Sequence, residues 1–181
     1  TVNNLGVINS YLEGYYNIGG IVAENINGSI SKCYNTSEII GSSSVGGVVG
    51  CISGGSITNC YNAGKAAAIN LYAGGVVGIC EDGTITNCFN ASETVMSHYY
   101  SGAVIGCFAS GTVTDCYYLK TPYYIGIGNN TADTAGSTEA KTLEQFKSGE
   151  VAYLLQGTQE EEIWGQKIGT ETAPVLGGDK V

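Results

Sequence analysis

Seven cysteines, one histidine and sixteen carboxylates are the side chains of this 181-residue chain that could act as nucleophile, metal ligand or acid and base. The histidine, His98, stands in Ser97-His98-Tyr99-Tyr100. With only one such residue, the zinc-protease pattern of two helical histidines one turn apart cannot be written. Phosphate-loop, dinucleotide-loop and calcium-loop patterns are missing, as is a Gly-x-Ser-x-Gly nucleophile elbow. Glu160-Glu161-Glu162 could attract calcium, but three consecutive carboxylates do not converge on an extended chain, and a solvated loop is expected. Glu81-Asp82, before a glycine, has the same reading. Catalysis, a cofactor and a metal site are therefore not expected. Sixteen acids against seven lysines, with no arginine, leave a net charge of −9. Nucleic acid and anionic lipid are poor partners for such a chain. No apolar run approaches the ~20 residues that span a bilayer, so membrane insertion is not expected either.

The cysteines carry a different message, which is their spacing. Cys33-Tyr34-Asn35, Cys60-Tyr61-Asn62, Cys88-Phe89-Asn90 and Cys116-Tyr117-Tyr118 recur every 27 or 28 residues. Upstream of each, at a constant offset, stand Gly19-Gly20-Ile21-Val22, Gly46-Gly47-Val48-Val49, Gly74-Gly75-Val76-Val77 and Gly102-Ala103-Val104-Ile105. Between the landmarks lies a turn ending in Gly28, Gly55, Gly83 or Gly111, followed by Ser or Thr and then Ile30, Ile57, Ile85 or Val113. Each unit holds short β-branched runs between glycine and Asn/Ser/Thr clusters, with no helix-period apolar face. Alone, such a unit cannot bury its apolar side; stacked in register, its strands pair with their counterparts one coil on and the apolar columns close a core. The expected fold is all-β: a right-handed parallel β-solenoid of about four coils, handed by the usual right-handed crossover preference.

Stacking gives each column a structural expectation. In the cysteine column, side chains one coil apart sit about 4.8 Å from each other and parallel, which disfavours bridging. Cys51 and Cys107 share a second column with Ile79 between them. Free buried thiols acting as small hydrophobes are expected throughout. Tyr34, Tyr61, Phe89 and Tyr117 form an aromatic column, either a stacking platform for sugar rings or an internal brace of stacked rings, the brace being favoured on energetic grounds. Asn35, Asn62 and Asn90 are expected to hydrogen-bond along the stack at a turn. Lys32 and Asp115 share a column interrupted by Asn59 and Asn87, so no acid cleft of the polysaccharide-cleaving kind is built.

Residues 1–120 are assigned to the solenoid, with 1–16 a degenerate N-terminal cap. Residues 121–138 read as a polar, small-residue loop that includes Ile127 to Thr138. Residues 139–181 read as an α+β cap over the solenoid end, where strand edges need cover. Within it, Thr142 and Gln145 suggest a capping box, Leu143 to Leu155 one kinked helix or two short ones, and Ile163-Trp164 and Pro174-Val175-Leu176 short extended pieces.

The stretch Val45-Gly46-Gly47-Val48-Val49-Gly50, followed by Gly55-Ser56-Ile57-Thr58-Asn59-Cys60-Tyr61-Asn62, resembles the GLUG motif, with valine at Val49 and Val77 in place of the leucine. The resemblance covers roughly residues 17–120. It implies a bacterial secreted or cell-surface protein, adhesin-like or the non-catalytic part of a surface peptidase. The tail, from Ser148 to Leu155 and on through Trp164-Gly165-Gln166, is similar to segments that follow these repeats in surface proteins. On that footing the expected function is non-enzymatic: an adhesive or binding module or a spacer, extracellular or on the cell surface. Partners would be a host or cell-surface glycan or protein, together with flanking domains of a larger chain. The inter-repeat loops 66–72 and 94–100 are the candidate contact surface. A polysaccharide-acting β-helix enzyme and an accessory domain of a surface peptidase are the alternatives.

Overall fold

A computed structural model describes residues 1–132 and 137–178. The chain winds as a parallel β-solenoid of about four turns. Each turn contributes to three sheets. The long face stacks Val22–Ser31, Val49–Thr58, Val77–Thr86, then Ile105–Phe108 with Thr112–Thr114. The short face stacks Tyr34–Asn35, Tyr61–Asn62, Phe89–Asn90 and Cys116–Leu119. The third face stacks Tyr11–Gly19, Glu38–Gly46, Ala66–Ala68 with Tyr72–Gly74, and Val95–Ser97 with Tyr100–Gly102. Every pairing among these strands is parallel and joins equivalent residues, as in Val22 with Val49, Val49 with Val77 and Val77 with Ile105.

The corners explain the residues between strands. Asn4, Lys32, Asn59, Asn87 and Asp115 occupy one corner in successive turns, at φ of 56°, 51°, 55°, 53° and 50°. Asn and Asp enter this left-handed region more readily than other side chains, which is why they dominate the position. The column that breaks up any acid cleft is thus a backbone requirement. At the tandem glycines the limit is space: a Cβ on Gly46 or Gly74 would overlap the carbonyl oxygen of Val49 or Val77. The expected turn at Gly55 and Gly83 proves to be a kink inside one long strand, with register shifts on either side of Asp82. The third face folds back on itself, because Gly14 and Gly41 would each place a Cβ within 2.8 Å of Ile18 Cδ1. A straight strand would hold residues 14 and 18 about 13 Å apart.

Two columns line the interior as their spacing suggests. Cys33, Cys60, Cys88 and Cys116 are buried with Ile30, Ile57, Ile85 and the Val48–Val76–Val104 row. All seven cysteines are free and buried. Each thiol of the column donates to the carbonyl two residues back, at 3.1 to 3.4 Å. The asparagines form a ladder: Asn35 Nδ2 donates to Asn62 Oδ1, and Asn62 Nδ2 to Asn90 Oδ1, both at 2.9 Å. Each Oδ1 also accepts from the backbone two residues on, at Ser37, Gly64 and Ser92. Gly20, Gly47 and Gly75 press against these amides with no room for a side chain. In the fourth coil Ala103 replaces the glycine and Tyr118 pairs in register with Asn90, so ladder and corner change together.

Three boundaries differ from the sequence expectation. Tyr11–Gly19 is a full strand of the first coil, so only Val2–Asn3 and Gly6–Val7 remain as an incomplete preceding rung. The segment expected as a polar loop holds further strands: Ile127–Asn130 pairs with Ile105–Phe108, and Thr138–Lys141 with Cys116–Leu119. Asp133–Gly136 of that segment, and Asp179–Val181 of the cap, lie outside the described residues. This last rung steps by 22 residues, because the chain cuts past the third face and loses the Cys landmark. Tyr124 covers that face there, its hydroxyl accepting from Val95 N and donating to Glu93 O, both at 2.6 Å.

The cap is built as expected but sits elsewhere. Helix α1 (Leu143–Lys147) begins with a capping box of Thr142 and Gln145, and α2 (Glu150–Gln156) follows after Gly149 at φ 86°. Trp164–Gly165 and Val175–Leu176 pair antiparallel. This unit lies along the side of the rod on the short face, packed on Tyr61, Phe89 and Tyr117 through Phe146, Val151, Leu155, Ile163 and Trp164.

Candidate binding surface

The aromatic column is real and closed. Tyr34 and Tyr61 stack with centroids 5.0 Å apart and 5° between planes, and Tyr61 and Phe89 at 4.9 Å and 3°. Tyr117 continues the register. Tyr61 is 9% exposed, Phe89 0% and Tyr117 7%, because the tail covers them. Trp164 tilts onto both Tyr61 and Phe89, and Phe146 onto Phe89. The indole Nε1 donates to Asn59 Oδ1 at 3.0 Å, and Asn59 exchanges two further bonds with Gln159. Lys141, itself buried, ties the last rung to the cap by ion pairs with Glu139 at 2.9 Å and Glu150 at 3.2 Å, above the Tyr117 ring. Tyr34, Tyr61, Phe89 and Tyr117 thus form the internal brace of stacked rings favoured from the sequence, and Tyr61, Phe89 and Tyr117 also anchor the chain's own tail, with Tyr34 half-buried at its edge. Five large apolar side chains between 146 and 164 needed an apolar partner, and that demand was the signal in the sequence that could have located it.

The loops 66–72 and 94–100 have a different fate. Their ends are strands of the third face, and their middles project where that face folds back. Along this ridge lie Tyr15 and Tyr16 in the first coil, Ile69 and Leu71 in the third, and His98 and Tyr99 in the fourth. Tyr16 is 69% exposed, Ile69 67% and Tyr99 62%. Tyr72 and Tyr100 stack beside them at 5.8 Å, and His98 meets Tyr99 edge-on at 4.8 Å. In the second coil the same positions are Ser42, Ser43 and Ser44, all buried. Backbone bonds fix the base of the ridge: Asn70 N donates to Ser42 O at 2.9 Å, Tyr99 N to Asn70 O at 3.1 Å and Tyr100 N to Leu71 O at 3.0 Å. Asn70 Nδ2 also donates to Ser42 Oγ at 2.8 Å. The result is a rigid edge carrying exposed aromatic and apolar groups interrupted by a small polar gap.

Burial holds Cys51, Cys80, Cys88 and Cys107 toward their neutral form. Burial pushes Cys51 up to about 11, with Glu81 and Glu24 adding to it, and Cys80 up to about 12, with Asp82 adding to it. Burial likewise raises Cys88 and Cys107. A nucleophilic cysteine needs the opposite shift, toward thiolate at neutral pH. Cys51, Ile79 and Cys107 do share one column. It ends in Glu24 and Asn129, so it is more polar than the alternation with isoleucine suggests.

Residues 14–40 and 41–67 each match the family model for the GLUG motif. The chain carries GLUG repeats. The match falls on the first two coils, and each GLUG unit runs from the third face through the glycine corner and the long face to the short face. The third and fourth coils continue the same plan in register with the matched ones. No curated protein and no solved structure matches the chain.

Proposed function

We propose that this GLUG-repeat solenoid is a non-enzymatic adhesive module of a secreted or cell-surface bacterial protein, which also spaces whatever it is joined to. The ridge of Tyr15, Tyr16, Ile69, Leu71, Tyr99 and Tyr100 is its contact surface. The observation that carries this reading is the exposure of large aromatic and apolar groups at positions where the repeat does not repeat. Stacking alone does not need them there, and exposed apolar clusters on a rigid frame mark contact sites. Tyrosine suits a glycan or protein partner, since it offers contact area and a hydroxyl at little entropic cost. The test is adhesion of the purified chain to surfaces coated with host or bacterial glycans and with extracellular proteins. Tyr99→Ala combined with Tyr100→Ala, and separately Tyr15→Ala with Tyr16→Ala, should each weaken adhesion about tenfold or more. Unchanged adhesion in both variants, or turnover of a polysaccharide by the purified chain, would overturn the proposal.

A further inference from the structure

Four thiols stand in one straight column inside the rod. Cys33, Cys60, Cys88 and Cys116 are each at most 1% exposed. The residues that follow them pair in register, Tyr34 with Tyr61, Tyr61 with Phe89 and Phe89 with Tyr117. The four side chains share one orientation, since each thiol donates to the carbonyl two residues back, at 3.1 to 3.4 Å. The same orientation on successive rungs sets neighbouring sulfurs one rung apart, about 4.8 Å. The rings beside them stack at 5.0 and 4.9 Å, which is the same repeat. That separation is too long for a disulfide, which needs Cβ atoms about 3.8 Å apart and converging. It does match two metal–thiolate bonds of about 2.3 Å laid end to end, about 4.6 Å in all.

The surroundings select the ion. A straight row cannot close around one point, so it does not supply the tetrahedral shell of zinc. Among the described residues, no group of three His, Cys, Asp or Glu converges to hold a metal. The apolar walls of Ile30, Ile57, Ile85 and Val76 offer no oxygen shell to a hard cation. Soft ions prefer thiolate, and one that takes two ligands in a line needs only two adjacent rungs. In the neutral column each proton is directed within its own rung, which leaves sulfur lone pairs toward the rungs above and below. Burial raises Cys60, but the neighbouring thiols of Cys33 and Cys88 outweigh it and lower it, so this proton is the first to leave. The other three thiols lack such neighbours: Ile79 separates Cys51 from Cys107, and Cys80 lies between Ile52 and Phe108.

We propose that the thiol column is a site for soft, linearly two-coordinate cations of the copper(I), silver(I) and mercury(II) class, one ion between Cys33 and Cys60 and one between Cys88 and Cys116. Each ion joins two sulfurs and releases both thiol protons to solvent, with no change of oxidation state. Mercury(II) gives a neutral bis-thiolate, and copper(I) or silver(I) one with a single negative charge. The neutral product suits the apolar walls best. Entry is at Cys33, whose rung is covered by the two-residue pairing of Gly6–Val7 with Tyr34–Asn35. The site is independent of the adhesive ridge.

The reduced, oxygen-free full chain is titrated with mercury(II) chloride, silver(I) nitrate, copper(I) as its acetonitrile complex, and zinc(II) chloride as the tetrahedral control. It is then desalted against 2-mercaptoethanol, which strips ions held by a single protein thiol. Two mercury ions per chain should remain, with two sulfurs around each by X-ray absorption, a raised thermal midpoint and no retained zinc. Retention of mercury alone assigns the site to the ion whose complex is neutral; retention of all three assigns it to the whole class. Two double variants keep the same number of thiols and differ in adjacency. Cys33→Ala with Cys60→Ala leaves the neighbours Cys88 and Cys116 and should hold one ion. Cys33→Ala with Cys88→Ala leaves Cys60 and Cys116 two rungs apart and should hold none. The absorption measurement on the unaltered chain decides the matter if either variant fails to fold. Equal retention by the two variants, a shell of one, three or four sulfurs, or no retained mercury would each overturn the proposal.

Discussion

The molecule contains two sets of aromatic rings that a sequence cannot tell apart by type. Tyr34, Tyr61, Phe89 and Tyr117 recur at one position of every coil; the stacked rings among them lie nearly parallel, and Tyr61, Phe89 and Tyr117 lie under the tail. Tyr15, Tyr16, Tyr99 and Tyr100 belong to positions that change from coil to coil, and they project from the ridge. What separates the sets is periodicity. A side chain that returns every coil is stacked on copies of itself, so it is held by the rod and serves the rod. A residue free to differ between coils is under no such demand, and the large aromatic and apolar groups at these positions in the first, third and fourth coils stand exposed, while the second coil fills them with buried serines. The comparison teaches that in a solenoid the regular column is the scaffold and the irregular one is the place to look for a partner.

The largest test of that division compares Phe89 with Tyr99. Phe89→Ala removes a fully buried ring from between Tyr61, Phe146 and Trp164, and should cost about 3 to 5 kcal/mol in urea unfolding. Tyr99→Ala should change stability by no more than about 0.5 kcal/mol. A comparable loss at both would show the ridge to be structural. Next comes the asparagine ladder. Asn62→Ala breaks both ladder bonds and removes the Asn62 partner of Gly64 N and O in the core, and should cost about 2 to 3 kcal/mol. Asn70→Ala on the ridge loses one bond, at Ser42, and should cost about 1 kcal/mol or less.

A smaller effect follows from titration. Burial raises Cys51 to about 11, Cys80 to about 12 and Tyr61 to about 12. In the unfolded chain thiols lose their protons near pH 8.5 and tyrosine near 10, roughly. Between those values and the folded ones the unfolded state holds fewer protons than the folded one. Stability from these groups is thus fully present below about pH 8.5 and declines as pH rises toward 11 to 12. Thermal midpoints measured from pH 7 to 11 should fall steadily above about pH 8.5. The last prediction concerns reactivity: native protein at pH 8 should leave a thiol reagent largely unreacted, and denatured protein should consume close to seven equivalents without prior reduction. A markedly lower count would reveal disulfides and remove the thiol column from the core.

Much of the rod was legible because repetition makes a chain its own alignment. The register of Cys60 with Cys88, the ladder from Asn35 to Asn90 and the strands on either side of Gly46-Gly47 all follow from equal spacing. Legibility failed where spacing changed. The last rung retains Ile127 and Ala140 in register but drops six residues and the cysteine, so it passed for a loop. The site of the cap was hidden for another reason. Its docking depends on a partnership between Asn59 and Trp164, 105 residues apart, and no local pattern encodes such a distance. The tail's cover over Tyr61, Phe89 and Tyr117 was hidden with it, although the stacking of these rings as a brace is written in the repeat itself.

The returning tail has a mechanical consequence. Asn4 and Lys32 border the same depression as Ile163, Leu176 and Gly177, so the two extremities of the described chain meet beside the first coils. Tension applied to those extremities does not run along the axis of the stack. Such a load falls on the two-residue pairing of Val2–Asn3 with Ile30 and Ser31 and on the tail's tie from Glu161 to Lys32 before it reaches the long strands of the later coils.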